Sequence, residues 1–128
     1  FGRCVDGFGK SMNLLLARDD YMLAGMKMGA HGVVGSMCTY AAQLLLMIMQ
    51  SFKAGDMGTA QNYQIKAVEM MAAMRRFGII QASKAIMSEV GVKCGPVRPP
   101  LVPLSKEHLA ILHETVERLE FSPFFNTL

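Results

Sequence analysis

The chain has 128 residues, of which 52% are hydrophobic, enough for the core of one ordinary domain. Its formal net charge of +3 is mild and forms no block of like charge, so the sequence predicts no nucleic-acid partner and no anionic membrane surface. Twelve methionines and no tryptophan are typical of an adaptable core and indicate no cofactor or metal site.

The cysteines and the apolar runs indicate the compartment. Cys4, Cys38 and Cys94 are far apart and odd in number, so they form neither a CxxC pair nor a disulfide framework. This usage favours a reducing, cytoplasmic setting. The longest apolar run, YAAQLLLMIM, is too short to cross a bilayer and contains Gln43. Because the chain begins at Phe1 without an initiating Met, we expect it to be a piece of a longer protein.

The first part of the chain alternates between predicted helices and strands. In order, these are the end of a helix at 1–6, a buried strand at 12–17, a helix at 19–28, a brief strand at 33–35 and a helix at 40–53. The short connections predict parallel strands joined by crossover helices. Since two strands are too few for a sheet, we expect neighbouring strands outside this chain.

The second part is predicted to be helical. One helix runs from about residue 59 to Gly78, and a shorter one stops at Gly91. Residues 91–108, called the strap from here on, hold four of the five prolines, and X-Pro units favour extended backbone. We expect the strap to lie across a surface. Ser105 is the predicted N-cap of a last helix.

The histidines and one lysine are candidates for chemistry, but the pattern favours ordinary roles. His108 and His113 are five residues apart, about 140° around a helix, so they cannot chelate one ion together. We predict surface positions for both, a turn position for His31, and no metal site. Lys84 lies on a partly apolar helix, where a buried stem with a solvated head is commoner than a Schiff-base amine.

Three polar side chains follow the predicted strands. Asp19 and Asp20 come after the first strand and Ser36 after the second. If the strands are parallel, all three emerge at the same edge of the sheet, where ligands bind in α/β barrels and open sheets. The alternative is that the two carboxylates and the serine simply cap helices. Spacing alone leaves both interpretations open.

Three segments together resemble one enzyme family. ARDDYMLAGMKMGAHGVVGS resembles the Gly-x-Asp-Glu...Gly-Ala-x-Gly-x-Ile/Val-Gly-Ser segment of N-acetylneuraminate lyases and their relatives, the dihydrodipicolinate synthases. FKAGDMGTAQNYQ and KAIMSEVGVKCGPVRPPLVPLSKE resemble later segments of the same family, in the same order. The Gly-Ser after the second strand, with CVD and NYQ, favours the neuraminate lyase branch.

The resemblance implies an α/β fold, the C-terminal part of a (β/α)8 barrel with a helical appendix. Residues 1–55 would be the end of helix six and the last two βα units, and residues 56–128 a helical extension of the same domain. The fragment would be predominantly helical. The strap would connect two helices of the extension along the outside of the barrel.

The resemblance also implies a function. Family members are class I aldolases, in which a lysine on the sixth strand forms a Schiff base with pyruvate and a tyrosine on the fifth strand handles protons. Both residues would precede Phe1, so no catalytic residue is expected here and the chain alone is predicted to be inactive. The expected substrates are a sugar acid and pyruvate, with no cofactor, and the full-length protein is expected to be a homotetramer.

The family's substrate-binding motif is carried over with changes. Gly-x-Asp-Glu becomes Ala17, Arg18, Asp19 and Asp20, and the motif's serine is Ser36. Asp20 is one methylene shorter than glutamate, and the family's Ser-Thr-Tyr-Asn becomes SMCT. Ala17, Asp19, Asp20 and Ser36 are therefore the predicted substrate-binding residues.

The predicted function is that of an N-acetylneuraminate lyase, which cleaves sialic acid to N-acetylmannosamine and pyruvate. One alternative is another pyruvate aldolase or synthase of the family, similar to dihydrodipicolinate synthase. The other is a truncated helical module that binds a partner and has no catalytic activity.

Overall fold

The computed structural model of the protein describes residues 1–126. Its elements, in chain order, are α1 Gly2–Phe8, β1 Leu15–Leu16, a 3₁₀ turn Asp19–Tyr21, α2 Met22–Lys27, β2 Gly32–Val33, α3 Met37–Tyr40, α4 Ala42–Lys53, α5 Met57–Phe77, α6 Ile79–Glu89, α7 Lys106–Arg118 and a 3₁₀ turn Ser122–Phe124. Helices therefore dominate, as the sequence predicts. None of the helices described is long and apolar enough to cross a membrane.

The two strands pair in parallel, as predicted, with Leu15 opposite Gly32 and Leu16 opposite Val33. They are shorter than the predicted 12–17 and 33–35, because each has a backbone partner on one side only within residues 1–126. His31 extends the pairing, since its backbone N–H donates to the Leu14 carbonyl at 2.8 Å and its Nδ1 accepts from the Leu14 N–H at 3.0 Å. The predicted turn position of His31 is therefore incomplete, because its backbone and its ring both bond the residue before β1.

The predicted helix 19–28 begins as a 3₁₀ turn and becomes α2 at Met22. Its start is held from α5 by the side chain of Gln64. The Gln64 Oε1 accepts from the Leu23 N–H at 2.7 Å, and its Nε2 donates to the Asp19 carbonyl at 3.3 Å. A helix distant in sequence therefore fixes the backbone that follows β1.

The predicted helix 40–53 is two helices, α3 and α4, separated at Ala41, whose φ of −136° and ψ of 41° are not helical. Asn126 satisfies the backbone at this break. Its Oδ1 accepts from the Ala42 N–H and its Nδ2 donates to the Thr39 carbonyl, both at 2.9 Å. The partner lies 84 residues away from Ala42, so local sequence patterns could not reveal the break.

Helix α5 is the centre of the packing and contacts α2, α4, α6 and α7. Asp56 caps its start by accepting from the Thr59 N–H at 3.0 Å, and Gly78, with a φ of 84°, ends it. Methionines of α2, α3 and α5 supply much of the core. The largest fully buried side chains are Met22, Met37, Tyr40, Leu44, Ile48, Met70, Met74, Ile86, Leu112 and Phe121.

The strap joins α6 to α7 and lies against α6 of the same chain. Lys84 Nζ donates to the carbonyls of Cys94 at 3.1 Å and Pro96 at 3.2 Å, and Val97 is buried. Ser105 caps α7, as predicted, by accepting from the His108 N–H at 3.1 Å. The surface that the strap covers is therefore at least partly supplied by this chain.

Candidate functional site

A cavity of about 340 Å³ opens where β1 and β2 end. The four residues predicted to bind substrate, Ala17, Asp19, Asp20 and Ser36, all line it. Arg18 and Gly35 line it from the same two loops, while Met71 and Arg75 come from α5 and Ile79 from α6. Parallel pairing of the strands thus brings the predicted residues together, as their positions after the two strands predict.

Asp19 lies buried at the floor of the cavity. Its Oδ2 accepts from the Met37 N–H at 3.2 Å, which ties the end of β1 to the first turn of α3. Its Oδ1 is buried with no hydrogen-bond partner among residues 1–126. Burial raises the pKa of the Asp19 carboxyl, against the smaller lowering effect of the Met37 N–H. A buried oxygen without a partner is an available acceptor for a polar ligand.

Gly35 allows Asp19 to take this position. A Cβ built on Gly35 would fall within the Asp19 carboxylate, so any larger residue would displace that side chain. The Gly-Ser pair after β2 therefore has a steric role as well as its place in the family pattern. Gly35 leaves the room that Asp19 occupies.

Asp20 forms an ion-paired cluster with two arginines. Arg18 Nε donates to Oδ1 and Arg18 Nη2 to Oδ2, both at 2.9 Å, and Arg75 Nη2 also donates to Oδ2. These bonds, Arg18 first, hold the pKa of the Asp20 carboxyl well below its usual range, although burial opposes them. The side chain of Asp20 is 6% exposed, while those of Arg18 and Arg75 are 54% and 45% exposed.

None of the three polar residues caps the helix that it begins, although the Asp19 carboxylate accepts from the N–H of Met37, the first residue of α3. No side chain caps the 3₁₀ turn that begins at Asp19, and Ser36 sits at the N-cap position of α3 without making a capping hydrogen bond. Ser36 also borders a second, largely apolar cavity of about 330 Å³ between α3 and α6. Tyr40, in α3, is fully buried, and this burial raises the pKa of its hydroxyl to about 12.

Sequence reasoning missed the contribution of α5 and α6 to the cavity. Arg75 and Arg76 look alike in the sequence, as two basic residues in the last turn of a helix, where cations are common. Only the packing of α5 against the Asp19–Tyr21 turn distinguishes them, because it brings Arg75 to Asp20. No sequence signal marked Arg75.

The remaining candidates lie outside this cavity. His113 Nε2 is 3.1 Å from Glu89 Oε1, and the His108 ring contacts the edge of Phe77. Lys84 holds the strap and does not line the cavity. In the part of the chain that the structure describes, no three His, Cys, Asp or Glu side chains are grouped to hold a metal ion.

Comparison with known proteins identifies the family. The sequence profile of the Dihydrodipicolinate synthetase family matches residues 3–119. The chain belongs to this family. It is 31% identical over 124 residues to N-acetylneuraminate lyase of Mus musculus, covering 94% of this chain and 39% of that protein. It is also 31% identical over 127 residues to N-acetylneuraminate lyase of Homo sapiens, covering 97% and 40%.

Solved structures of N-acetylneuraminate lyases have the same fold. N-acetylneuraminate lyase of Proteus mirabilis superposes with a TM-score of 0.87 at 29% identity, over 94% of this chain and 41% of that one. The enzyme of Aliivibrio salmonicida gives 0.86 at 27% identity, over 94% and 40%. These matches confirm the predicted family and fold class, the C-terminal part of a (β/α)8 barrel with a helical appendix.

The chain spans about 40% of the length of the relatives it matches. The relatives are lyases by name, which supports the prediction that the family is one of lyases. The division into residues 1–55 and 56–128, and the binding roles of Ala17, Asp19, Asp20 and Ser36, stay predictions.

Proposed function

We propose that this chain is part of a pyruvate-dependent class I aldolase, an N-acetylneuraminate lyase that cleaves sialic acid to N-acetylmannosamine and pyruvate. The Schiff-base lysine and the proton-handling tyrosine lie before Phe1 in this proposal, so the 128 residues alone are inactive. The lysine amine condenses with the keto group and supplies the electron sink for carbon–carbon cleavage. The residues of this chain bind and orient the sugar tail.

One observation carries the proposal. The motif residues Asp19, Asp20 and Ser36 meet in a single cavity at the carboxyl ends of parallel strands, which is where barrel enzymes bind substrate. The identity to N-acetylneuraminate lyases over nearly the whole chain supports the choice of substrate.

Each residue has a distinct proposed role. The Asp19 Oδ1 is a buried acceptor for one substrate hydroxyl, and the Ser36 hydroxyl is free of a capping bond and can donate or accept. Asp20 offers a second acceptor. Ala17 contributes backbone and little side-chain bulk at the rim. These contacts grip the hydroxylated tail and leave the reacting carbonyl to residues upstream.

The same proposal includes the domain organisation, the compartment and the oligomeric state of the whole protein. Residues 1–55 form the last βα units of the barrel, and residues 56–128 form its helical extension. The whole protein is a cytoplasmic homotetramer that requires no cofactor.

Trapping with pyruvate tests this proposal. The whole protein is incubated with pyruvate and borohydride, and its mass is then measured. A parallel assay measures cleavage of N-acetylneuraminate by the untreated protein. We expect a pyruvate adduct on a lysine before Phe1, and cleavage of N-acetylneuraminate. Trapping without cleavage would favour another pyruvate aldolase or synthase of the family. Absence of any adduct would favour a non-catalytic module, and an adduct on Lys84 or Lys27 would overturn the assignment of the lysine.

The tail-binding role needs its own measurement. In the whole protein, Asp19→Ala should lower kcat/KM for the sugar acid by about tenfold or more while pyruvate trapping is retained. Loss of trapping in a folded Asp19→Ala variant would contradict a role confined to the tail.

A further inference from the structure

The hydrogen bonds at Asp20 leave little of its carboxylate free. A carboxylate offers about four acceptor positions, two on each oxygen. Oδ2 accepts from both Arg18 and Arg75, and Oδ1 accepts from Arg18 alone. One position therefore remains, on Oδ1, and the side chain is almost fully buried beside the cavity.

Arg75 differs from Arg18 in where it comes from. Arg18 is two residues from Asp20 and follows the same strand, whereas Arg75 is 55 residues away, in the last turn of α5. Gln64, on the same helix, bonds the backbone at Asp19 and Leu23. Helix α5 is thus fixed to the site loop near its middle and at its end, and a shift of α5 would move Arg75 relative to Asp20.

We infer that Arg75 is a positioning residue for substrate specificity, which occupies Oδ2 of Asp20 and so presents Oδ1 as the single acceptor for a substrate hydroxyl. This inference rests on the proposed function, because it needs a hydroxylated substrate in the cavity. It gives the helical extension a part in substrate recognition, exerted through Asp20. It also offers a reason why aspartate serves where the family has glutamate, since the two guanidinium groups fix the shorter side chain in place.

The charges around Asp20 agree with this arrangement. The charged or titratable groups that face Asp20 are Arg18 and Arg75, which attract its negative charge, and Asp19, whose carboxylate would repel it. With two cations and one buried neighbour that resists ionisation, Asp20 stays a carboxylate and cannot donate a proton to substrate. The acceptor role is therefore fixed over the ordinary pH range.

The chain supplies a matched control. Arg76 is the next residue of α5, is exposed, and lines a different surface depression with Glu69 and Arg118. Arg75→Met and Arg76→Met remove the same charge and the same donors from the same helix turn. Only the first removes a bond to Asp20.

Kinetics of the whole protein test the inference. We expect Arg75→Met to raise KM for N-acetylneuraminate about tenfold, with kcat within about twofold of wild type and pyruvate trapping unchanged. Arg75→Lys should recover part of the loss, to about threefold, because a lysine retains the charge but lacks the planar fork. Arg76→Met should match wild type. Adding Arg75→Met to Asp20→Asn should raise KM no further than Asp20→Asn alone.

Three outcomes would overturn the inference. The first is that Arg75→Met behaves as Arg76→Met does. The second is that Arg75→Met and Asp20→Asn have additive effects on KM. The third is that kcat, pyruvate trapping and the melting temperature all fall together in Arg75→Met, which would indicate a structural role. If wild type neither traps pyruvate nor cleaves the sugar acid, the proposed function fails separately. In that case a carboxyl ¹³C titration of Asp20 in the whole protein tests the contact between Arg75 and Asp20 by itself. Its midpoint should rise in Arg75→Met but not in Arg76→Met, and an unchanged midpoint in Arg75→Met would contradict the inference.

Discussion

Helix α4 and the segment from α1 to β1 are both rich in apolar residues, yet they differ in burial. Helix α4 places Leu44, Leu45 and Ile48 in the core against α5. Helix α1 buries none of its residues, and Leu15 of β1 is 53% exposed. Apolar content alone therefore does not determine burial. An apolar side chain contributes to stability only where another element covers it, and among residues 1–126 α5 does this for α4 while little covers α1.

A pair of leucine truncations should give the largest contrast. Leu44 is fully buried, so Leu44→Ala should lower the free energy of unfolding of the chain by about 3 kcal/mol, the loss of buried apolar volume together with a cavity. Leu15→Ala should cost less than about 0.5 kcal/mol, because its side chain is already half in water. Urea unfolding followed by circular dichroism measures both.

The control lies in the same helix. Leu46 is 45% exposed on α4, so Leu46→Ala should resemble Leu15→Ala and not Leu44→Ala. A cost for Leu15→Ala close to that of Leu44→Ala would show that β1 is covered in solution, and the contrast between the two regions would not hold.

The fold was predictable from sequence where the signals are local. Gly78 and Ser105 end and begin helices as predicted, since a positive φ and an N-cap hydroxyl are properties of single residues. The break at Ala41 was not predictable, because Asn126 satisfies it from the other end of the chain. Strand lengths were overestimated for a similar reason, since the extent of a strand depends on its backbone partners, and within residues 1–126 each strand has a partner on one side only.

The site that follows this less covered segment is tightly packed, and Gly35→Ala should demonstrate it. The new methyl group would collide with the Asp19 carboxylate, so we expect a loss of about 2 kcal/mol in the free energy of unfolding. KM for the sugar acid should also rise in the whole protein. Gly7→Ala is the control, because a Cβ there meets no atom within 4 Å and alanine favours the helix. Equal stability of the two variants would mean that Asp19 does not occupy this position.

The two adjacent aspartates should respond oppositely to pH. The pKa of Asp20 is lowered in the folded state, so its stabilisation is present above about pH 4 and is lost as pH falls through the folded value. Asp20→Asn should therefore cost about 1 kcal/mol at pH 7, and the difference from wild type should shrink toward pH 2.

The pKa of Asp19 is raised by burial, so its contribution is favourable below about pH 4 and is lost as pH rises. Asp19→Asn should gain on wild type in stability between about pH 4 and pH 7, since the amide oxygen can still accept from Met37, while KM for the sugar acid rises. Urea unfolding at several pH values measures both variants. The same sign of pH dependence for Asp19→Asn and Asp20→Asn would contradict the assigned environments.

The site was partly predictable for the same reasons as the fold. Asp19, Asp20 and Ser36 could be grouped because parallel strands bring their carboxyl ends together. The partners of each carboxylate could not be derived, since Met37 and Arg75 reach them through helix packing. Asp19 and Asp20 are identical and adjacent in the sequence, yet their pKa shifts are opposite, because the arginines, Arg18 first and then Arg75, lower the pKa of Asp20 while burial raises that of Asp19.

The smallest expected effect concerns the strap, which is held by a lysine at the surface. Lys84 Nζ donates to the carbonyls of Cys94, Gly95 and Pro96, so Lys84→Met should leave the strap less protected. Because these bonds are exposed, we expect a loss of only about 0.5 kcal/mol in global stability. Proteolysis near Lys93 should nevertheless become faster, and Lys53→Met, on α4, should change neither quantity. Unchanged cleavage in Lys84→Met would show that Val97 and the prolines hold the strap without the lysine.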